Sequence, residues 1–175
     1  SGINAGTIES KTITAAGEYK IADLKETGMY TLVAVGYDSK GEQVNSTTAV
    51  FGYLKNGDEN PVEISCGLIV SDKYAPAGYT AENSVEFYIH GSDIRKAAYG
   101  LYRKRDFEQK YESVISDLKR IEMSESELEA VNGEGLSDVF IRLNSGMEYV
   151  LVVYASNGYE ETIVHAEAKL AGEIN

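Results

Sequence analysis

Cys66, His90 and His165 are the residues from which a nucleophilic site could be assembled, because a thiolate activated by an imidazole is what such chemistry needs. The pattern around them argues against it. Val62, Ile64, Cys66, Leu68 and Val70 put an apolar residue at every second position, with Glu63, Ser65 and Ser71 on the other face. That alternation marks a half-buried strand with Cys66 on its core face. His90 follows the outward Glu86 and Tyr88, and His165 alternates with the inward Val164 and Ala166. A buried thiol and outward imidazoles do not come within the roughly 3 Å that proton transfer requires. One cysteine and two histidines without shared spacing supply no zinc set either.

Carboxylates are plentiful, 28 in 175 residues, so proximity of two of them in sequence discriminates nothing. Glu125, Glu127 and Glu129 lie where a helix begins, and acids there favour the helix dipole. Glu160 and Glu161 sit at a hairpin turn. Neither cluster predicts the cleft and the separation of about 5 to 9 Å that glycoside hydrolysis needs. Gly133-Glu134-Gly135 is a lone turn, not a phosphate-cradling loop. No catalytic residue, metal ligand or cofactor site is therefore expected. The acidic stretch Lys55–Pro61 could recruit Ca²⁺, but it lacks the ligand spacing of an EF-hand.

Tyrosine is the one enriched type, 13 residues without a single tryptophan. Tyr74 and Tyr79 fall in the loop from Ser71 to Thr80, where an exposed ring anchors a protein partner or stacks on a sugar, and a buried one packs the loop. Both readings stand for this pair. Arg95, Lys96, Arg103, Lys104 and Arg105 form a basic group, read as counter-charge to the acidic helix that follows.

These residues sit in a chain with a formal net charge of −12. Residues 1–56 hold five basic and six acidic side chains, so about −11 belongs to 57–175. Such a surface repels phosphate backbones and anionic membranes, which excludes nucleic-acid binding as a function class. No run approaches the roughly 18 apolar residues of a membrane span, so membrane insertion is not expected, and no signal-peptide pattern opens the sequence. The single cysteine cannot form an internal disulfide.

The elements that would position the residues read mostly as strands. Thr7–Ala15, Gly17–Leu24, Tyr30–Tyr37 and Ser46–Leu54 precede a linker at 57–61, with a turn at Asp38–Gly41. Beyond it come Val62–Val70, Ser84–His90 and Lys96–Arg103, and then the period changes. Phe107, Tyr111, Val114, Ile115, Leu118 and Ile121 recur at helical spacing, with Asp106 and Gln109 placed as a capping box. A second box, Ser124 with Glu127, opens a short helix ending at Gly133. Leu136–Leu143, Met147–Ala155 and Thr162–Leu170 return to strand. In the strand after Tyr149 both faces are apolar, so the helix of residues 106–121 is expected to cover Val150, Val152 and Tyr154.

One signature occurs twice, 119 residues apart. Leu24, Gly28 and Tyr30 precede an apolar run to Gly36, and Leu143, Gly146 and Tyr149 precede another to Ala155. A Leu, a Gly turn and a Tyr opening a strand is what a tyrosine corner in a β-sandwich requires, the ring packing under the turn while the hydroxyl bonds upstream backbone. The stretch Leu143–Gly158, with Glu148-Tyr149, alternating apolar residues and Ala155-Ser156-Asn157, resembles the fibronectin type III pattern. More distantly the chain is similar to immunoglobulin-like sandwich repeats of secreted and surface-anchored bacterial proteins. The expectation is an all-β chain of tandem fibronectin type III-like sandwiches. Residues 1–56 would form the C-terminal half of one domain, 57–61 the linker and 62–175 a second domain with a helical insertion at about 104–133. A half-sandwich leaves an apolar face and an open edge, so a preceding part of the parent chain, or another chain, is expected to complete the first. The resemblance implies a non-catalytic spacer or adhesion module at the cell surface or outside the cell, or else an accessory domain of a secreted protease or glycoside hydrolase whose catalytic domain lies elsewhere.

Overall fold

The computed structural model describes residues 12–14, 24, 28–53 and 61–173. The strands expected over Thr7–Ala15 and Gly17–Leu24 lie outside the described residues except for 12–14 and Leu24, which belong to no regular element. Linker residues 57–60 lie outside them as well. The described chain runs β1 (Gly28–Tyr37), β2 (Gln43–Tyr53), β3 (Glu63–Val70), β4 (Val85–Ser92) and β5 (Lys96–Arg103). Helices α1 (Lys104–Gln109), α2 (Tyr111–Leu118) and α3 (Glu125–Asn132) follow, then β6 (Leu136–Phe140), β7 (Glu148–Ser156) and β8 (Glu161–Lys169).

All pairings are antiparallel. β3, β4 and β6 form one leaf in that order, and β5, β7 and β8 form the other. β2 joins the two, because Ser46 and Thr47 pair with β8 while Thr48 to Phe51 pair with β3. The switch is stitched by two hydroxyls. Thr47 Oγ1 donates to the Leu68 carbonyl at 2.5 Å, and Thr48 Oγ1 accepts from the Glu167 amide. The result is a curled antiparallel sheet of all-β character, with β1 along the other edge of β2. The β1–β2 turn is closed by Asp38, whose carboxylate accepts from the amides of Lys40 at 2.8 Å and Glu42 at 3.0 Å, with Gly41 at φ +83°.

The main core lies between the leaves, where Ile64, Cys66, Leu68, Val85, Phe87 and Ile89 meet Leu151, Val153, Ala155, Val164 and Ala166. Period-two alternation puts these residues inward. A second apolar cluster lies on the opposite face of β7, where Phe107, Val114, Ile115 and Leu118 cover Ala98, Val150, Val152 and Tyr154. All residues from Tyr149 to Ala155 are thus buried, one face by the opposing leaf and the other by the helices. Burial of both faces explains why β7 is a continuous apolar run and not an alternating one.

The helical segment differs from the single helix expected over 106–121. Lys110, at φ −125° and ψ 27°, breaks it into α1 and α2. The break shifts the helical phase and leaves Tyr111 and Ile121 exposed. The Asp106/Gln109 capping box does not form, because β5 runs directly into α1. Arg103, the last strand residue, occupies the N-cap position without a side-chain cap, and Asp106 falls inside the first turn.

At α3 the second box does form. Ser124 Oγ accepts from the Glu127 amide at 3.3 Å, and Glu127 Oε2 accepts from the Ser124 amide at 2.8 Å. Ser124→Ala is expected to cost about 1 kcal/mol. The Ser124 hydroxyl, and then its amide, hold the Glu127 carboxyl below the usual carboxylate range. A lowered folded value means that this stabilisation is present above the unfolded carboxylate pKa and is lost as the pH falls through the folded one. Urea midpoints of Ser124→Ala and the parent chain should therefore draw closer in acid. A gap that does not narrow would show that the carboxylate arm of the box contributes nothing.

Candidate recognition loop

The β3–β4 connection, residues 71–84, is tied down by its own short polar side chains. Ser71, expected on the solvent face, is instead buried, because the strand ends at Val70 and the chain turns inward. Its hydroxyl donates to Glu86 Oε1 at 2.7 Å and accepts from the Lys73 amide at 3.1 Å. Asp72 Oδ1 accepts from the Ala81 amide at 2.9 Å. Asn83 accepts from the Thr80 amide at 2.9 Å and donates to the Gly78 carbonyl at 3.1 Å. The tip is a 3₁₀ turn over Ala75–Ala77, started by Pro76 and ended by Gly78 at φ +86°, where a side chain would be strained.

That turn brings the two tyrosines together. Tyr74 and Tyr79 form an isolated antiparallel bridge, and bridged partners project their side chains to one side. Tyr74 is 45% exposed, with Lys73 Nζ 5.9 Å from its ring centre. Tyr79 is half-buried, and its hydroxyl accepts from Arg142 Nε at 3.4 Å. The outcome is a row of Lys73, Tyr74, Tyr79 and Arg142, two aromatic rings flanked by two cations. Sequence reasoning missed Arg142, since nothing in its spacing marks it. Its positive φ of 61°, uncommon outside glycine, is a tertiary feature.

Arg142 is positioned from the β6–β7 connection, which is fastened to the loop through the Leu143 amide and the Asn83 carbonyl at 2.9 Å. Tyr149 supports that connection from beneath. Its ring is buried, and its hydroxyl accepts from the Asn144 amide at 3.0 Å. Tyr149→Phe removes the partner of that amide and is expected to lower stability by about 1–2 kcal/mol. An unchanged urea midpoint would show that the hydroxyl is not what holds the corner. In the earlier copy of the signature, Leu24 is half-buried, and the Tyr30 ring stacks on Phe51 at 5.9 Å and meets Tyr53 edge-on at 6.3 Å.

The other candidate residues are dispersed. Cys66 is fully buried, and burial pushes its thiol up to about 12, so it stays protonated. His90 is exposed, with Nε2 3.1 Å from the Gly133 carbonyl oxygen, and His165 lies beside the Phe107 ring on the helix-covered face. Glu161 is engaged by Lys119 and by the Tyr154 hydroxyl, the latter at 2.9 Å. These contacts fasten α2 to the start of β8. The basic group does not serve the helices as a whole. Lys96 reaches Glu122, in the connection between α2 and α3, at 2.9 Å, and Lys104 pairs with strand residues, Glu167 at 2.6 Å and Glu148 at 3.9 Å. The turn from β5 into α1 points Lys104 back across β7 and β8, which accounts for the difference. Among the described residues no group of three or more His, Cys, Asp or Glu side chains is placed to hold a metal ion. No helix among them is long and apolar enough to cross a membrane.

No family model, curated protein or solved structure matches the chain.

Proposed function

We propose that this chain is a non-catalytic β-sandwich module of a larger bacterial surface or secreted protein, acting as a spacer and adhesion unit through the Tyr74–Tyr79 loop. The observation that carries this reading is the loop itself. A ring 45% exposed on a backbone held by so many local hydrogen bonds loses little freedom on binding a protein or glycan, and low ordering cost is what makes exposed tyrosines effective anchors. The flanking Lys73 and Arg142 add hydrogen-bond donors for a polar partner.

The finer fold reading rests on strand order. Counted from β3, the first, second and fourth strands form one leaf and the third, fifth and sixth the other. That order, together with the Tyr149 corner, supports a fibronectin type III-like sandwich for residues 62–175, with the three helices inserted between its third and fourth strands.

The test is binding of the chain to immobilised mucin and extracellular-matrix glycoproteins, compared with Tyr74→Ala. The parent chain should bind at least one of them, and Tyr74→Ala should weaken binding about tenfold or more with an unchanged circular dichroism spectrum. Equal binding by the variant would remove the loop from the reading. No binding by the parent chain would remove adhesion and leave the spacer role alone.

A further inference from the structure

The basic group where β5 runs into α1 is not consumed by ion pairs. Lys104 is held by Glu167 at 2.6 Å and lies 3.9 Å from Glu148, but among the described residues no carboxylate pairs with Arg103, Arg105 or Lys169. Arg103 comes from the end of β5, Lys104 and Arg105 from the first turn of α1, and Lys169 from the end of β8. All four line one cleft of about 490 Å³, which Asp106 and Glu148 share with them. Four positive charges thus face two negative ones, in a chain whose net charge is −12. Glu167, the partner of Lys104, lowers the local excess from +2 to +1 and leaves the three unpaired cations in place. Gly146 and Met147 of the β6–β7 connection form another part of the wall. That connection is fixed to the end of β8, where the Gly146 amide donates to the Ala171 carbonyl at 3.0 Å and the Leu170 amide to the Met147 carbonyl at 3.0 Å.

We propose that this cleft binds a sulfate or phosphate group carried on a small, sugar-sized molecule. An arginine presents a planar fork of N–H donors that meets an oxyanion two bonds at a time, and Arg103 and Arg105 have theirs unclaimed by any carboxylate. Lys169 adds a compact third charge. The volume lies within the range of small-molecule sites and exceeds what the oxyanion alone would fill, so Met147 offers an apolar surface to the body of the ligand. An extended polyanion is disfavoured, because the field of a chain at −12 repels every charge beyond the cleft. A single anionic group beside three cations gains more from them than it loses to acids farther off, which salt screens. The cleft shares no residue with the Tyr74–Tyr79 loop.

Calorimetric titration of the 175-residue chain with glucose 6-sulfate and glucose 6-phosphate, at constant ionic strength in chloride, is expected to show one site with a Kd of about 1 mM or tighter for at least one of them. Inorganic sulfate should bind about tenfold more weakly, and glucose should give no signal. Arg105→Gln and Lys169→Gln are each expected to weaken binding about tenfold or more. Arg105 is exposed and Lys169 half-buried at the end of its strand, so circular dichroism should stay unchanged. Lys40→Gln, which removes an exposed charge at the β1–β2 turn, should leave binding as it is. No saturable binding of either ester, unchanged affinity in Arg105→Gln and Lys169→Gln, or an equal loss in Lys40→Gln would each overturn the proposal. Inorganic sulfate binding as tightly as the esters would overturn its claim on the body of the ligand.

Discussion

Leu118→Ala is expected to lower the unfolding free energy by about 2–4 kcal/mol. Leu118 is fully buried at the end of α2 and packs in the cluster formed with Val150, Val152 and Tyr154. The strand beneath it cannot move up to fill a void, because β7 is paired with β5 on one side and with β8 on the other. The lost methyl groups therefore leave a cavity as well as a transfer cost. Urea unfolding followed by circular dichroism measures the change, and increased binding of a hydrophobic dye should accompany it as the outer face of β7 is uncovered. A change within about 0.5 kcal/mol would show that α2 does not seal that face. Amide exchange gives an independent measure: slow exchange through 111–118 is expected of a docked helix, and uniformly fast exchange of one that is not.

Gly91→Ala is expected to cost about 2–3 kcal/mol, for the opposite reason, overpacking. Gly91 lies in β4 opposite Ile64, where a Cβ would stand 2.6 Å from Ile94 Cγ1 and 2.7 Å from the Glu63 carbonyl oxygen. The second contact is with backbone held in the β3–β4 ladder, so relief requires the strands to separate. Gly67 provides the contrast. Its Cβ would meet the Tyr88 ring at 2.1 Å, but a tyrosine side chain can swing aside, so Gly67→Ala should cost less than Gly91→Ala. Equal costs, or a Gly91→Ala midpoint indistinguishable from that of the parent, would mean that the backbone approach at Gly91 is not what constrains β4.

How far these features were legible depends on the range of the interaction. Alternation at Ile64, Cys66 and Leu68 and at Val85, Phe87 and Ile89 identifies core faces, since a strand repeats every two residues whatever it packs against. The double-sided apolar character of Val150–Tyr154 called for a cover, and the helical spacing of Val114, Ile115 and Leu118 pointed to its source. The break at Lys110 was not legible: α1 and α2 each dock on β5 and β7, and where they do so is set by contacts distant in sequence. Of the candidate site, Tyr74 and Tyr79 were visible as tyrosines in a polar loop, but their bridge, the burial of Ser71 and the arrival of Arg142 came from segments far apart in the chain.

What the sequence determined by itself is the periodicity of each segment, the α3 capping box and the all-β character with a helical interruption, because these rest on contacts between residues two to four apart. Tertiary structure alone decided that β2 pairs with both β8 and β3, that Lys104 turns to Glu167, and that Arg142 reaches Tyr79. It also decided that two copies of one signature differ in burial: β7 lies between a sheet and a helical layer, while most side chains of β1 are exposed and Tyr30 is half-buried. A local signature specifies the form a strand takes. What covers that strand is set by elements elsewhere in the fold, and no residue within the signature encodes them.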